Sequence, residues 1–286
     1  MTARLAPRPG ARRLIGVRAA TEFWDRVRRA PQPDVPVVDD PRERRALVIE
    51  LIIVGALTFG FSALRALLSL IDAQLSGGIA AQTVAINPAL ADNPAIDFLR
   101  QLLRFGDLLA IGALGAYLLW RSGIRLGRIG LSRPRGRDVP PGLALAALIG
   151  LPGLGLLAAA RALGLNATLQ GANDGPWWQL ITLCLVAVGN AVAEEVIVVA
   201  YFIVRLRQLG AGSGAALASS AVLRGGYHLY QGFGAGLGNL VMGLIFGRWY
   251  QATGRLWPLI VAHAVIDVVA FVGYALLHPH LGWLGG

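Results

Sequence analysis

The sequence predicts an all-α, polytopic transmembrane bundle of about seven spans with a cytoplasmic N-terminus. Three observations carry this reading. Of 286 residues, 55% are hydrophobic and only 15% charged, where a soluble domain carries about 25% charged residues. Seven apolar stretches approach the ~20 residues a helix needs to cross hydrocarbon. The arginines flank these stretches on alternate sides, as the positive-inside rule requires.

All 26 basic residues are arginine, and the net charge is +10. Because the arginines border apolar runs, the charge reads as contact with the lipid bilayer and not as nucleic-acid binding. The single cysteine, Cys184, excludes an intramolecular disulfide and reads as a small core hydrophobe.

Residues 1–45 form a basic cytoplasmic tail without the apolar core of a signal peptide. Val17, Ala20, Trp24 and Val27 recur at helical spacing, which is compatible with an interfacial amphipathic helix and equally with a partly disordered basic tail. The proline-rich PQPDVPVVDDP then acts as a linker. N-terminal transmembrane helices fill 46–177, with spans at 46–70, 103–120 and 141–160. Spans at 178–204, 214–230, 236–250 and 256–277 follow, leaving a short tail within 271–286. The sixth span is glycine-rich and is expected to be tilted, broken or closely packed. Arginines in the 121–138 loop, at Arg205 and Arg207, and at Arg248 and Arg255 define the cytoplasmic side; the 72–98 loop has none. The chain is thus expected to be a multi-pass protein of a cell membrane.

Several motifs are set aside. GLGLLA at 153–158 lies inside a span with no preceding strand, so it is no dinucleotide fingerprint. Asn166-Ala167-Thr168 is a sequon with meaning only in a glycosylating pathway. His278-Pro279-His280 reads as a solvated tail turn. Glu50, Arg65, Arg104 and Asp107 are candidates for pairing between helices or for snorkelling.

The informative stretch is VGNAVAEEVIVVAYF at 188–202. An ion at the bilayer centre costs on the order of 3 kcal/mol on insertion scales, so two adjacent glutamates there need partners. Arg224 and His228 are spaced i, i+4, as are His263 and Asp267. At 1.5 Å per residue, Glu194, His228, His263 and Asp267 lie roughly 10 to 21 Å from the predicted cytoplasmic ends, close enough to meet. A poorly solvated glutamate beside histidine can take a proton from water, and a second histidine can donate to an oxyanion. The same Glu, His, His and Asp are acceptable zinc ligands. A structural polar network or a transport path is equally compatible with polarity and spacing alone.

AEEVIVVAY, LRGGYHLYQG and LWPLIVAHAVID occur in that order. Together they resemble the CPBP intramembrane protease family, also called Abi or CAAX-protease-like, over residues 178–270. The family pattern is a double glutamate with arginine four residues after the second, then FxxxH, then HxxxN or HxxxD. The resemblance implies an endopeptidase that cuts a membrane-associated peptide or protein substrate. In it, Glu194 activates water with His228, His263 and Asp267 stabilise the oxyanion, and Glu195 supports them. No cofactor is required by that scheme, although zinc is possible.

Two positions depart from the pattern. Val199 stands where arginine is expected, and Arg224 stands where phenylalanine is expected. The departures read as compensating, with Arg224 supplying across helices the countercharge that Glu195 loses; the other reading is that Arg224 snorkels or fills a wet cavity. On the compensating reading Val199→Arg should partly rescue Arg224→Phe. The alternative is a non-proteolytic immunity or scaffold protein that holds a peptide in the same pocket.

Overall fold

The computed structural model describes residues 35–171 and 176–277. The expected amphipathic helix and the His278–His280 turn lie outside the described residues. Among them, seven continuous helical rods occur: α1 (Pro41–Leu75), α2 (Pro94–Arg121), α3 (Val139–Ala162), α4 (Trp178–Gln208), α5 (Ser213–Tyr227), α6 (Phe233–Thr253) and α7 (Trp257–Leu277). The rods α1 to α4 and α7 are long and apolar enough to cross a membrane. The protein is a helical multi-pass membrane bundle.

Local chemistry sets where rods begin. Asp40 Oδ1 accepts from Arg42 N at 3.0 Å and Glu43 N at 2.8 Å, with Pro41 opening α1. Asn93 does the same for Ala95 and Ile96 ahead of Pro94 in α2. Each is a side-chain N-cap followed by a proline whose missing N–H costs nothing at that position.

The connections gather at two opposite ends of the bundle. At one end, Val38 N donates to Gln208 O at 2.9 Å, and Tyr250 Oη donates to Ile129 O at 3.3 Å. Arg255 pairs with Asp138 at the same end. This end carries the arginine-rich 121–138 connection. At the other end, β1 (Thr83–Ala85) and β2 (Thr168–Gln170) form a two-stranded parallel sheet, Val84 opposite Leu169. These strands are absent from the sequence expectation, because three-residue segments carry no periodicity to read.

Asn166 belongs to this second end. Its Oδ1 accepts from Gly234 N at 3.0 Å and Ala235 N at 3.3 Å, capping α6, and the residue is 2% exposed. The sequon asparagine is therefore a structural cap closed to glycosylation. The backbone beside it binds the turn before α6: Ala167 N donates to Gln231 O at 3.0 Å, and Phe233 N to Leu165 O at 2.9 Å.

The rod α4 runs through the middle. Of its apolar window 72% is buried, against 6–22% for the other four apolar rods. From Glu195 to Tyr201 it widens into a π-helix whose residues are all buried. Ser220 Oγ on α5 donates to the π-segment carbonyl of Val198 at 2.7 Å. The glycines of α6 mark close packing and not a break. A Cβ at Gly243 would lie 2.9 Å from Ala221 Cα, so α5 and α6 approach backbone to backbone.

Arg205 differs from its sequence assignment as a cytoplasmic turn charge. It is fully buried and donates to Glu50 Oε1 (2.9 Å), Ser122 Oγ (2.9 Å), Gln208 Oε1 (2.7 Å) and Leu118 O (3.0 Å). Glu50 also accepts from Tyr201 Oη at 2.9 Å, so the expected interhelical partner of Glu50 is present and ties α1, α2 and α4 together. Periodicity places a charge near a rod end without saying which way it points. Arg65 and Asp107, by contrast, are exposed. Arg205→Ala should lower unfolding stability by about 3 kcal/mol, since it strands a carboxylate between rods. Arg121→Ala, on the surface, should stay within about 0.5 kcal/mol of the parent; thermal melts in detergent compare the two.

Candidate active site

Four elements bring the polar groups together. Glu194 ends the α-helical part of α4, and Glu195 begins its π segment. A π turn adds a residue to the helical repeat and is frequent at functional sites. Arg224 and Tyr227 sit on the last turn of α5. His228 lies just past it: α5 stops at Tyr227, so the predicted span 214–230 is too long and the shared helical face of Arg224 and His228 breaks there. Gly225 and Gly226 precede this stop, and a tight turn, Leu229–Gln231, follows. His263 and Asp267 lie one turn apart on α7.

At the centre is the Arg224 guanidinium, fully buried. Its Nη2 lies 2.6 Å from Glu195 Oε1, the contact the compensation argument requires. Its Nη1 lies 3.4 Å from Glu194 Oε2, so one cation serves both carboxylates. The guanidinium carbon lies over the Phe246 ring, 5.8 Å from its centroid, and the stem passes beside Gly243, where a Cβ would stand 3.4 Å from Arg224 Cδ. Val199 is fully buried among Phe246 and Tyr250 in the core. An arginine there would overpack the core, so the expected rescue by Val199→Arg has no room to operate.

His263 Nδ1 lies 2.7 Å from Glu195 Oε1 and therefore serves as donor to that carboxylate. Its Nε2 faces Asp267 Oδ2 at 3.7 Å and Glu194 Oε2 at 4.0 Å. Asp267 Oδ2 is 3.4 Å from Asn190 Nδ2. Tyr227 Oη donates to Glu194 Oε2 at 2.5 Å. His228 packs its ring against Tyr227, centroids 4.8 Å apart, and neither ring nitrogen has a hydrogen-bond partner. Glu194 keeps an 11% exposed side chain and Asp267 a 17% exposed one, whereas Glu195 is sealed.

Sequence reasoning missed Asn190 and Tyr227. Asn190 stands four residues before Glu194 in an apolar run, a signal of the same kind as the one that exposed the i, i+4 pairs. Tyr227 adjoins His228, but nothing in the sequence shows that its hydroxyl turns towards α4.

As zinc ligands, the Glu, His, His and Asp are chemically suitable. Their arrangement is not: among the described residues no group of three His, Cys, Asp or Glu side chains converges as a metal cage. Glu194 Oε2 already accepts from Tyr227 and faces a guanidinium.

Residues 176–269 match a family model described as type II CAAX prenyl endopeptidase Rce1-like. The match spans about a third of the chain and contains every residue of the cluster. Neither the curated proteins nor the solved structures contain a match to this chain.

Arg224→Phe should cost about 3–5 kcal/mol, because it leaves two buried carboxylates sharing no cation. Arg224→Lys should recover part of the loss, since one ammonium cannot span both oxygens as the guanidinium fork does. Equal melting temperatures for the parent and Arg224→Phe would refute the shared-cation arrangement.

Proposed function

We propose that this chain, whose residues 176–269 match the Rce1-like family model, is an intramembrane endopeptidase of the CPBP/Abi kind. It hydrolyses a peptide bond of a membrane-associated substrate with water activated by Glu194 and His228. The supporting observation is the unequal loading of the Glu194 carboxylate. Oε2 is engaged by Tyr227 and faces Arg224 and His263, which leaves Oε1 free to take a proton from water.

His228, with both ring nitrogens unengaged, orients that water. The oxygen attacks the carbonyl carbon as the proton passes to Glu194. Negative charge then develops on the carbonyl oxygen. In its doubly protonated form His263 holds Glu195 through Nδ1 and offers Nε2–H to this oxyanion. Asp267 keeps the ring in place and, when protonated, adds a second donor. Collapse of the intermediate breaks the C–N bond, and Glu194 returns its proton to the leaving amine. Glu195 and Arg224 hold the geometry and do not exchange protons with substrate.

No step calls for a metal, and the buried guanidinium supplies the fixed positive charge that a zinc ion would otherwise provide. Restored charge around Glu195 also weighs against a decayed, non-cleaving site. The resemblance of the motif text to bacterial family members favours a bacterial plasma membrane, and the arginine distribution favours an N-terminus in the cytoplasm.

The test compares peptide termini in membranes and medium from cells with equal amounts of parent, Glu194→Ala or His228→Ala protein. New termini should require both residues, and each substitution should lower turnover by at least about 100-fold. A chelator should leave the purified enzyme's rate unchanged. Identical termini with all three proteins folded would favour a peptide-holding scaffold instead.

A further inference from the structure

Burial changes abruptly along the bundle at the level of the polar cluster. On α4 every residue in 193–201 is buried, and Ile203, Val204 and Arg205 continue the seal. On α7 the buried positions are Pro258, Leu259, Ile260, Ala262 and His263, and 264–277 adds none. On α6 Met242, Phe246 and Tyr250 are buried towards the arginine-rich end, whereas 237–241 holds no buried residue.

The arginine-rich end is also capped. The 121–138 connection lies across the turn between α6 and α7: a Cβ at Gly130 would stand 2.5 Å from Leu256 N, and Trp257 Nε1 donates to Ser132 O. Arg205 fills the same end between α1, α2 and α4 with all its bonds made inside the protein.

The opposite side of the cluster is polar and half-open. Asn190 stands one turn outward from Glu194 on α4, Asp267 one turn outward from His263 on α7, and Asn239 one turn outward from Met242 on α6. All three are half-exposed. They face the interior: Asn190 Nδ2 and Asp267 Oδ2 meet at 3.4 Å, and Asn239 extends the stripe of Met242 and Phe246, both members of the main core. Tyr230 and Gln231, in the turn after α5, are half-exposed as well. Inward-facing polar groups at membrane depth line a water-filled space or pair with one another. Here a polar, loosely packed half lies on one side of the cluster and an apolar plug on the other.

We infer that water and peptide reach the cluster from the end that carries β1 and β2, through the half-open space at α4, α6 and α7. The arginine distribution makes that end the outer one. The substrate class follows: an extended peptide segment presented at the outer face of the membrane. The C-terminus of a cytoplasmic protein would meet the plugged end instead. The lining suits such a guest, because each asparagine amide carries a donor and an acceptor for main-chain groups that hydrocarbon would leave unsatisfied. This rests on the peptidase reading of the cluster and deepens it, by fixing the side from which the substrate arrives.

Single cysteines in a Cys184→Ser background read the sidedness without a substrate. The probe is a trimethylammonium methanethiosulfonate, which does not cross membranes and reacts with thiolates in water. Asn239→Cys and Gln231→Cys report on the half-open space. Ala89→Cys, exposed ahead of α2, marks the β1–β2 end, and Gly127→Cys, exposed in the arginine-rich connection, marks the other. Val241→Cys, an apolar position 43% exposed on α6, controls for exposure to lipid. Labelling is compared in spheroplasts and in inverted vesicles. Asn239→Cys and Gln231→Cys should react from the face that labels Ala89→Cys, at least about tenfold faster than Val241→Cys. Reaction of either from the face that labels Gly127→Cys, or rates at both no higher than at Val241→Cys, overturns the proposal. The pattern should persist when Glu194→Ala is added, so lost cleavage and a wrong route of access are read separately. Glu194-dependent termini, where they occur, should fall in outer segments; termini confined to cytoplasmic segments overturn the outer-face substrate.

Discussion

Two adjacent carboxylates in the most buried rod of the bundle constrain everything packed around them. Glu195 is sealed from solvent, and one buried cation, Arg224, reaches both it and Glu194. A guanidinium suits this place because its planar fork presents separate N–H groups to separate carboxylates, which a point-like ammonium cannot do. The surrounding structure is arranged to admit that fork. On α6, Gly243 leaves space beside the arginine stem and the Phe246 ring faces the guanidinium, while α5 lies close enough to α4 for the charge to reach both glutamates.

The π segment is the second half of that arrangement. It begins at Glu195 and continues through Tyr201, so the two neighbouring glutamates stand at a change of helical repeat. Ser220 takes up the Val198 carbonyl within that segment. Glu194 faces the partly open side with Tyr227 and His263, while Glu195 faces the sealed side with Arg224 and His263 Nδ1. One residue of sequence separates a group able to meet water from a group that only holds its neighbours.

Much of this was legible in the sequence. The apolar runs at α1 to α4 and α7 follow from hydropathy, and the ionisable residues in otherwise apolar text stood out because each is expensive there. The partnership of Arg224 with Glu195 followed from two departures from a family pattern. Other features left no local mark. The three-residue strands, the inward turn of Arg205, and the Tyr227 hydroxyl depend on contacts between residues far apart in the chain. The overlong fifth span has a different cause: apolarity continues past Tyr227 into Leu229 and Tyr230, while the helix ends in a turn held by the Leu165–Ala167 backbone.

That hold on the turn bears on what counts as a unit of inheritance in this chain. The family-matched third contains every group of the cluster, yet it is not a module that could be transplanted. The turn carrying His228 is stitched to residues 165–167, and the inner half of α4 is anchored through Arg205 to Glu50, Leu118 and Ser122. The earlier rods therefore act as a jig for the later ones. The fastening points Glu50, Leu118, Ser122 and the 165–167 backbone all lie ahead of the family-matched residues, so the site is built on text that the match does not include.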